Sequence, residues 1–316
     1  MSKTSTDRDG RLVLRGPTMA ARYEALAYPA AGQVDAAALQ ADLAAALEAV
    51  EQQMSGWRPD SDLNRLNAAA PGQWLALPDN LLVVLAAGLQ VGAASGGAFD
   101  MALGDLVSAW GFGPPVRQPD EAAIRALTGK PRQPCAEVLQ LAPGRARRLA
   151  AVRFDLCGIA KGFGVDEMAR VMRAHGICDY LVGIDGELRA SGRKPGGAPW
   201  SVALERPEHD NPTAAGTLAL DSCAIATSGD YRNYVRVGQA RLGHIMHPGS
   251  ARPVQNGVAA VSVLAPSCML ADAWATALTV LGAEAGAALA RQLGLDVLFQ
   301  LREAGGIRPV AVGRFA

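Results

Sequence analysis

The chain has 316 residues, 50% of them hydrophobic and 19% charged, which is ordinary globular composition with enough apolar material for a core. Basic and acidic residues both number 30, so the formal net charge is zero. That balance points away from nucleic acid and from a polybasic membrane-binding segment, and any acidic substrate has to be held by a local site.

The five cysteines (Cys135, Cys157, Cys178, Cys223 and Cys268) are widely spaced and form no C-x-x-C pair. Neither a disulfide framework nor a zinc knuckle is indicated. Residues 1–15 are polar and carry no hydrophobic signal core and no lipid-acceptor cysteine, so they are expected to form a flexible tail ahead of a single domain over 16–316. No apolar run reaches the ~18 residues that a spanning helix needs. The expectation is a cytoplasmic protein with reduced thiols and no stable membrane insertion.

In chain order, apolar residues at helical spacing predict a helix over Val34–Met54, ending near Gly56 and Pro59. Ser61 is placed to cap a short helix that Asn67 ends. A further helix is expected over Asp79–Ala94, stopped by Ser95-Gly96-Gly97. Gly113–Pro134, with several prolines, reads as a surface excursion holding one short helix. Leu149–Leu156 reads as a strand, and Gly162–Ala174 as an amphipathic helix stopped at Gly176. Short strands are then expected at Tyr180–Ala190, Trp200–Glu205, Thr217–Leu220, Ala224–Thr227, Tyr234–Val237 and Val258–Leu264. Helices over Leu270–Leu281 and Glu284–Leu293 precede a last strand, Asp296–Leu301. The fold class this implies is α+β, with antiparallel sheets and packed helices.

Four segments carry chemistry. In Phe154–Gly162 a strand runs through a glycine-broken turn into a helix, whose first N–H groups favour anions. Lys161 stands there as a phosphate partner and Asp155 as an acceptor; a solvated lysine at a plain strand–helix junction is the simpler reading. Asp272 and Thr276, four apart, share one helix face among small apolar neighbours. A hard cation with oxygen ligands would satisfy them, and so would bonds local to the helix. Thr227-Ser228-Gly229 offers hydroxyls and close backbone approach, suited to phosphate or ribose. His244, at a strand end, is a candidate acid, base or phosphate ligand, with a structural histidine as the alternative. Finally, Met54 and Trp110-Gly111-Phe112 supply flat-ring contacts or simply core.

Taken in order, these segments resemble the FAD:protein FMN transferase (ApbE-like) family. The resemblance runs from Pro17-Thr18-Met19 to Thr276. It includes Met54-Ser55 with Ser61, Leu63, Leu66 and Asn67, then Gly97-Ala98-Phe99-Asp100 and Trp110-Gly111-Phe112. It continues through Asp155-Leu156, Gly158–Gly162, Ala226–Tyr231, His244-Ile245 and Ala271-Asp272-Ala273 with Thr276. It implies an α+β, tunnelling-fold-related architecture. It implies that Met54, Trp110, Gly111, Phe112, Asp155 and Lys161 contact FAD, and that the Gly158 carbonyl, Asp272 and Thr276 ligate Mg²⁺. Ser228, Gly229 and His244 join the cofactor-binding set, with Lys161 and His244 as catalytic candidates. The reaction implied moves FMN from FAD to a Thr or Ser hydroxyl of a flavin-acceptor protein, releasing AMP.

The chain departs from that pattern at several places. Ala20-Ala21 follows Met19 where the family has Gly-Thr. Asp185 takes the place of a glycine. His247-Pro248-Gly249-Ser250-Ala251 replaces Asp-Pro-Arg-Thr-Gly. Two further readings therefore stay open: an impaired FAD-binding carrier or regulatory protein, and a pyrophosphatase giving FMN and AMP.

Overall fold

The computed structural model describes residues 3–6, 10–29, 34–113, 118–208, 213–231, 234–237 and 240–316. The chain opens with three strands, β1 (Lys3–Thr6), β2 (Leu12–Thr18) and β3 (Ala21–Ala27), then helices α1 (Ala36–Met54) and α2 (Asp62–Ala68). Strand β4 (Leu75–Ala76) leads to α3 (Asp79–Ala94), α4 (Gly104–Ala109), α5 (Glu121–Leu127) and α6 (Cys135–Val138). The hairpin β5 (Leu139–Ala142) and β6 (Arg145–Arg148) precedes α7 (Ala160–Ala174), β7 (Tyr180–Ile184) and β8 (Glu187–Ser191). Next come β9 (Trp200–Glu205), β10 (Ala214–Leu220), β11 (Ala224–Gly229), β12 (Tyr234–Val237) and β13 (Ala240–Gly243). The chain finishes with β14 (Met246–His247), β15 (Arg252–Pro253), β16 (Val258–Ala265), α8 (Cys268–Leu281), α9 (Ala283–Leu293), β17 (Asp296–Glu303) and β18 (Gly306–Val312).

Among the described residues the main sheet has nine strands in the order β1-β2-β3-β7-β8-β11-β16-β17-β18, and every pairing in it is antiparallel. The α+β expectation holds. The loose tail expected at residues 1–15 does not: β1 and most of β2 lie there, and Leu12, Val13 and Leu14 are buried. Their apolar alternation is short, and polar neighbours hid it.

The strand expected at Leu149–Leu156 is also absent, because the β5–β6 pairing stops at Arg148. Arg148 donates instead to the carbonyls of Ala69 and Val152, and Asn67 brackets Phe154 by bonding both its N–H and its C=O. The backbone polar groups of this extended segment are thus met by side chains and by isolated backbone bonds, such as those of Arg153 with Gly104 and Asp155 with Met101, and not by a ladder. Tyr180–Ala190, read as one strand, is the hairpin β7–β8, turned by Asp185 (φ 49°) and Gly186 (φ 115°). Two left-handed residues are what a two-residue hairpin turn needs, and Asp-Gly supplies them. The charge at Asp185 therefore comes with a favourable turn.

Helix α1 buries Leu39, Leu43, Leu47, Val50 and Met54, a four-residue stripe, and Asp35 caps it by accepting from the N–H groups of Ala37 and Ala38. Ser61 caps α2 by accepting from the Asn64 N–H at 3.1 Å, as its position predicts. The sheet's central strand β16 is buried along almost its whole length, and α8 lies against it with Ala271, Ala273, Ala275 and Ala277 fully buried. Small side chains let helix and sheet approach closely.

Helices α7 and α8 are tied together at their N-termini. A Cβ on Gly162 would lie 2.3 Å from the Cys268 carbonyl, so only glycine fits this crossing. Asp166 of α7 accepts from the N–H groups of Cys268 and Met269, each at 2.9 Å, which caps α8 from outside its own sequence. Arg189 pairs with the same carboxylate.

The β2–β3 turn is strained. Met19 (φ 47°) and Ala20 (φ 56°) are both left-handed. The Glu51 carboxylate holds them, accepting from the Met19 N–H at 2.7 Å and the Thr18 hydroxyl at 3.0 Å. Ala20→Gly is expected to stabilise the protein by about 1 kcal/mol, visible as a rise in Tm of about 2–4 °C. An unchanged or lower Tm would mean the turn is not strained. No helix among the described residues is long and apolar enough to cross a membrane.

Candidate active site

The extended segment 154–162 running into α7 and helix α8 pack together at one end of a cavity of about 1100 Å³. That is at the upper end for a ligand pocket and sufficient for a dinucleotide. Its lining includes Met54, Gly111, Phe112, Asp155, Gly158, Lys161, Ser228, Gly229, His244, Asp272 and Thr276. Of the residues expected in the site, Trp110 alone is not in the wall. Its indole N–H donates to the Ala251 carbonyl at 3.3 Å, and its ring packs behind the wall on a cluster of Leu103, Leu106, Met246 and Ala251. Trp110 buttresses Gly111 and Phe112 and does not itself face the cavity. Gly111 (φ 82°) is fixed by space as well as backbone, since a Cβ there would sit 2.7 Å from Gln118.

At the α7–α8 end the oxygen donors meet. A Cβ on Gly158 would lie 2.8 Å from the Thr276 hydroxyl, so this backbone passes directly beside Thr276. The hydroxyls of Ser228 and Thr276 are 3.2 Å apart. Asp272, one α-helical turn before Thr276, is buried and accepts the Gly162 N–H at 3.0 Å. Burial, helped by the Glu187 carboxylate, pushes the Asp272 carboxyl up to about 7, against the pull of Lys161 and the Gly162 N–H. A buried carboxylate beside a hydroxyl and a backbone carbonyl is an oxygen donor set that suits a hard divalent cation. Among the described residues no three His, Cys, Asp or Glu side chains converge on a metal position, so such a site would lean on its neutral oxygens.

Lys161 reaches into the same space. Burial works against its charge, but the carboxylates of Glu187 and Asp272 outweigh it and hold the ammonium above its usual range. Its Nζ bonds Glu187 Oε1 at 2.8 Å. Glu187 is only 3% exposed, and its second oxygen has no hydrogen-bond partner. The sequence reading did not single out Glu187; the signal was there in the acidic residue that follows the Asp185-Gly186 turn. Lys161→Met would strand that carboxylate. The expected loss is about 3 kcal/mol in urea unfolding. Because burial raises the Glu187 carboxyl, and more so without its cation, the loss should be larger at pH 8 than at pH 5, where a proton replaces the missing charge. Equal losses at both pH values would refute the pairing argument.

Asp155 accepts from the Cys157 N–H at 3.0 Å and its thiol at 3.4 Å, and burial raises its carboxyl. The Asp155 charge, reinforced by burial, pushes the Cys157 thiol well above its usual range, so this cavity-lining cysteine is a poor nucleophile. Across the cavity His244 follows β13 and meets Phe112 edge-to-face, ring centroids 6.2 Å apart. The cavity thus has an end on α7 and α8 lined by Lys161, buried carboxylates and hydroxyls, and an aromatic and imidazole wall opposite.

Known proteins share this fold. The profile of the ApbE family matches residues 19–299. A FAD:protein FMN transferase of Vibrio cholerae is 36% identical over 310 residues, 96% of this chain and 91% of that protein. Its counterpart in Escherichia coli is 32% identical, covering 92% of this chain and 84% of that one. Among solved structures, flavin transferase ApbE from Vibrio cholerae superposes with a TM-score of 0.84 at 34% identity, covering 100% of this chain and 99% of that one. The apo flavinyl transferase ApbE of Pseudomonas stutzeri gives 0.83 at 35% identity, covering 98% and 95%. The chain belongs to the ApbE family.

Proposed function

We propose that the protein is an FAD:protein FMN transferase. It holds FAD in the cavity and transfers FMN to a Thr or Ser hydroxyl of a flavin-acceptor protein, releasing AMP. The observation that carries this reading is the convergence of Gly158, Asp272 and Thr276 with Lys161 and Ser228 at one end of a dinucleotide-sized cavity. The family's curated members named above supply the activity.

In this reading Asp272, the Thr276 hydroxyl and the Gly158 carbonyl hold Mg²⁺. When bound, the ion would neutralise charge on the pyrophosphate oxygens. Lys161, kept cationic by Glu187, and the N–H groups at the start of α7 orient the phosphates. Met54, Gly111 and Phe112 contact the bound nucleotide, as do Asp155, Ser228 and Gly229. The acceptor hydroxyl attacks the FMN-side phosphorus. Its oxygen–phosphorus bond forms as the bond to the bridging oxygen breaks, AMP leaves, and His244 takes the hydroxyl proton.

The departures from the family pattern do not favour an impaired carrier. Asp185 occupies a turn that suits it, the strained turn at Ala20 is held by Glu51, and His247 still supplies an acceptor to its own turn. The test is incubation with FAD and Mg²⁺, with and without a flavin-acceptor domain, following AMP and acceptor mass. AMP with an FMN adduct is the expected result. AMP without an adduct on a competent acceptor would replace transfer by hydrolysis, and tight FAD binding without AMP would leave only the carrier.

A further inference from the structure

The hairpin β14–β15 carries His244 into the site, and the way it is closed is unusual. Met246 and Pro253 pair, as do His247 and Arg252, leaving residues 248–251 as the turn. Met246 points into the small cluster with Leu103, Leu106 and Ala251, while His247, next along the strand, points outward. The turn has one backbone bond, from the Ala251 N–H to the His247 carbonyl at 3.0 Å. The other two bonds come from the His247 ring. Its Nδ1 accepts from the N–H of Gly249 at 3.1 Å and from that of Ser250 at 3.3 Å.

A ring nitrogen that accepts carries no proton, so this turn requires Nδ1 to be bare and any ring hydrogen to sit on Nε2. The imidazole here does the work that a carboxylate or hydroxyl oxygen does at an Asx or Ser/Thr turn. The turn also ends on Ala251 at φ 54°, a backbone conformation that alanine resists unless its surroundings impose it. Ala251 in turn accepts the Trp110 indole N–H, and Trp110 leads directly into Gly111 and Phe112 of the cavity wall. The Val254 N–H bonds the Ile245 carbonyl at 2.9 Å, fixing the residue next to His244.

We propose that His247 is a positioning residue: its neutral ring closes the 247–251 turn and so holds both His244 and the Trp110–Phe112 segment against the cavity. It acts through those residues and does not touch the bound nucleotide. The charged group facing it is Arg252, across the hairpin; Met246 and the cluster behind it are apolar on their side of the strand. Protonation at Nδ1 would point a donor at two donors and release the turn. For its affinity arm this inference rests on the reading of the cavity as an FAD site.

The test compares the wild type with His247→Ala and His247→Asp in the full-length protein. Asp offers an oxygen to the same two N–H groups and stays ionised down to acid pH. Hydrogen exchange at Gly249 and Ser250, expressed as protection factors, reads the turn itself and needs no ligand. Protection at pH 7.5 is expected in the wild type and the Asp variant and about fivefold lower in the Ala variant, the scale of one lost hydrogen bond. FAD affinity, measured by flavin fluorescence, should follow the same order by about fivefold through the Trp110–Phe112 segment, and kcat for AMP release should fall at least as much as KM rises, through His244. Wild-type protection in the Ala variant, or an Asp variant that behaves like Ala, would overturn the proposal. Failure of every protein to bind FAD would instead sink the functional reading, and the exchange data would still decide the role of His247.

Discussion

Mg²⁺-dependent turnover should fall by at least about 10³ in Asp272→Ala, since the cation is worth several kcal/mol to a phosphoryl-type transition state. The fold should survive, because the loss inside α8 is one accepted N–H bond from Gly162 and a small volume. Stability gives a second, independent readout. Burial raises the Asp272 carboxyl from its unfolded value to about 7, so without a cation this group is unfavourable to the folded state once ionised. The penalty is absent below the unfolded value, grows as pH rises from there, and is complete above about 7. Metal-free wild type should therefore lose stability through this group between pH 5 and pH 8, and Mg²⁺ should restore it, raising Tm by several degrees more at pH 8 than at pH 6. Asp272→Asn should melt at or above the metal-free wild type at pH 8 and show no response to Mg²⁺. Undiminished Mg²⁺-dependent activity in a folded Asp272→Ala protein, or a retained Mg²⁺ response in the Asn variant, would sink the metal assignment.

The second large effect is at His244. If His244 takes the acceptor proton as proposed, His244→Ala should slow FMN transfer by about 10²–10⁴ in single-turnover measurements. FAD affinity should change far less. The edge-to-face contact with Phe112 is worth about 0.5–1.5 kcal/mol, and only part of that would be lost from binding. The acid limb of the rate–pH profile should disappear with the imidazole. Should affinity fall as steeply as rate, His244 would be a nucleotide-binding group and the proton would need another acceptor.

Both predictions rest on residues that were visible in the sequence, and the reason is physical. Asp272 and Thr276 sit four apart on a helix, and α8 places them on one face as helical geometry requires. The long helices were legible because apolar stripes and stop signals agree: α3 runs over the expected Asp79–Ala94 and ends at Ser95 with Gly96 and Gly97 left-handed. Gly176 (φ 73°) likewise stops α7.

What escaped depends on partners far along the chain. Strands β1–β3 and β18 carry weak alternation of their own and are strands because sheet neighbours complete their ladders. Leu149–Leu156 has strand-like alternation but no continuous ladder: its polar groups go to scattered backbone partners at Val138, Met101 and Gly104 and to the Asn67 and Arg148 side chains. Trp110 had the right composition for a flavin contact, yet sequence spacing does not say which side of a wall an aromatic ring occupies. Glu187 and Glu51 were missed because their roles exist only once a lysine and a strained turn from other elements are brought to them.

The tie between α7 and α8 has a kinetic consequence. With Gly162 pressed on the Cys268 carbonyl and Asp166 capping the neighbouring helix, the end of the cavity formed by α7 and α8 belongs to the main core and shares its global stability. The opposite wall rests on four buried residues, Leu103, Leu106, Met246 and Ala251. Small clusters of that kind open locally at a fraction of the cost of unfolding the whole domain. Breathing of the Phe112 and His244 side, with the α7–α8 frame standing still, should therefore set how long a nucleotide resides in the cavity. On warming, residence time should shorten well below the temperature at which the protein melts.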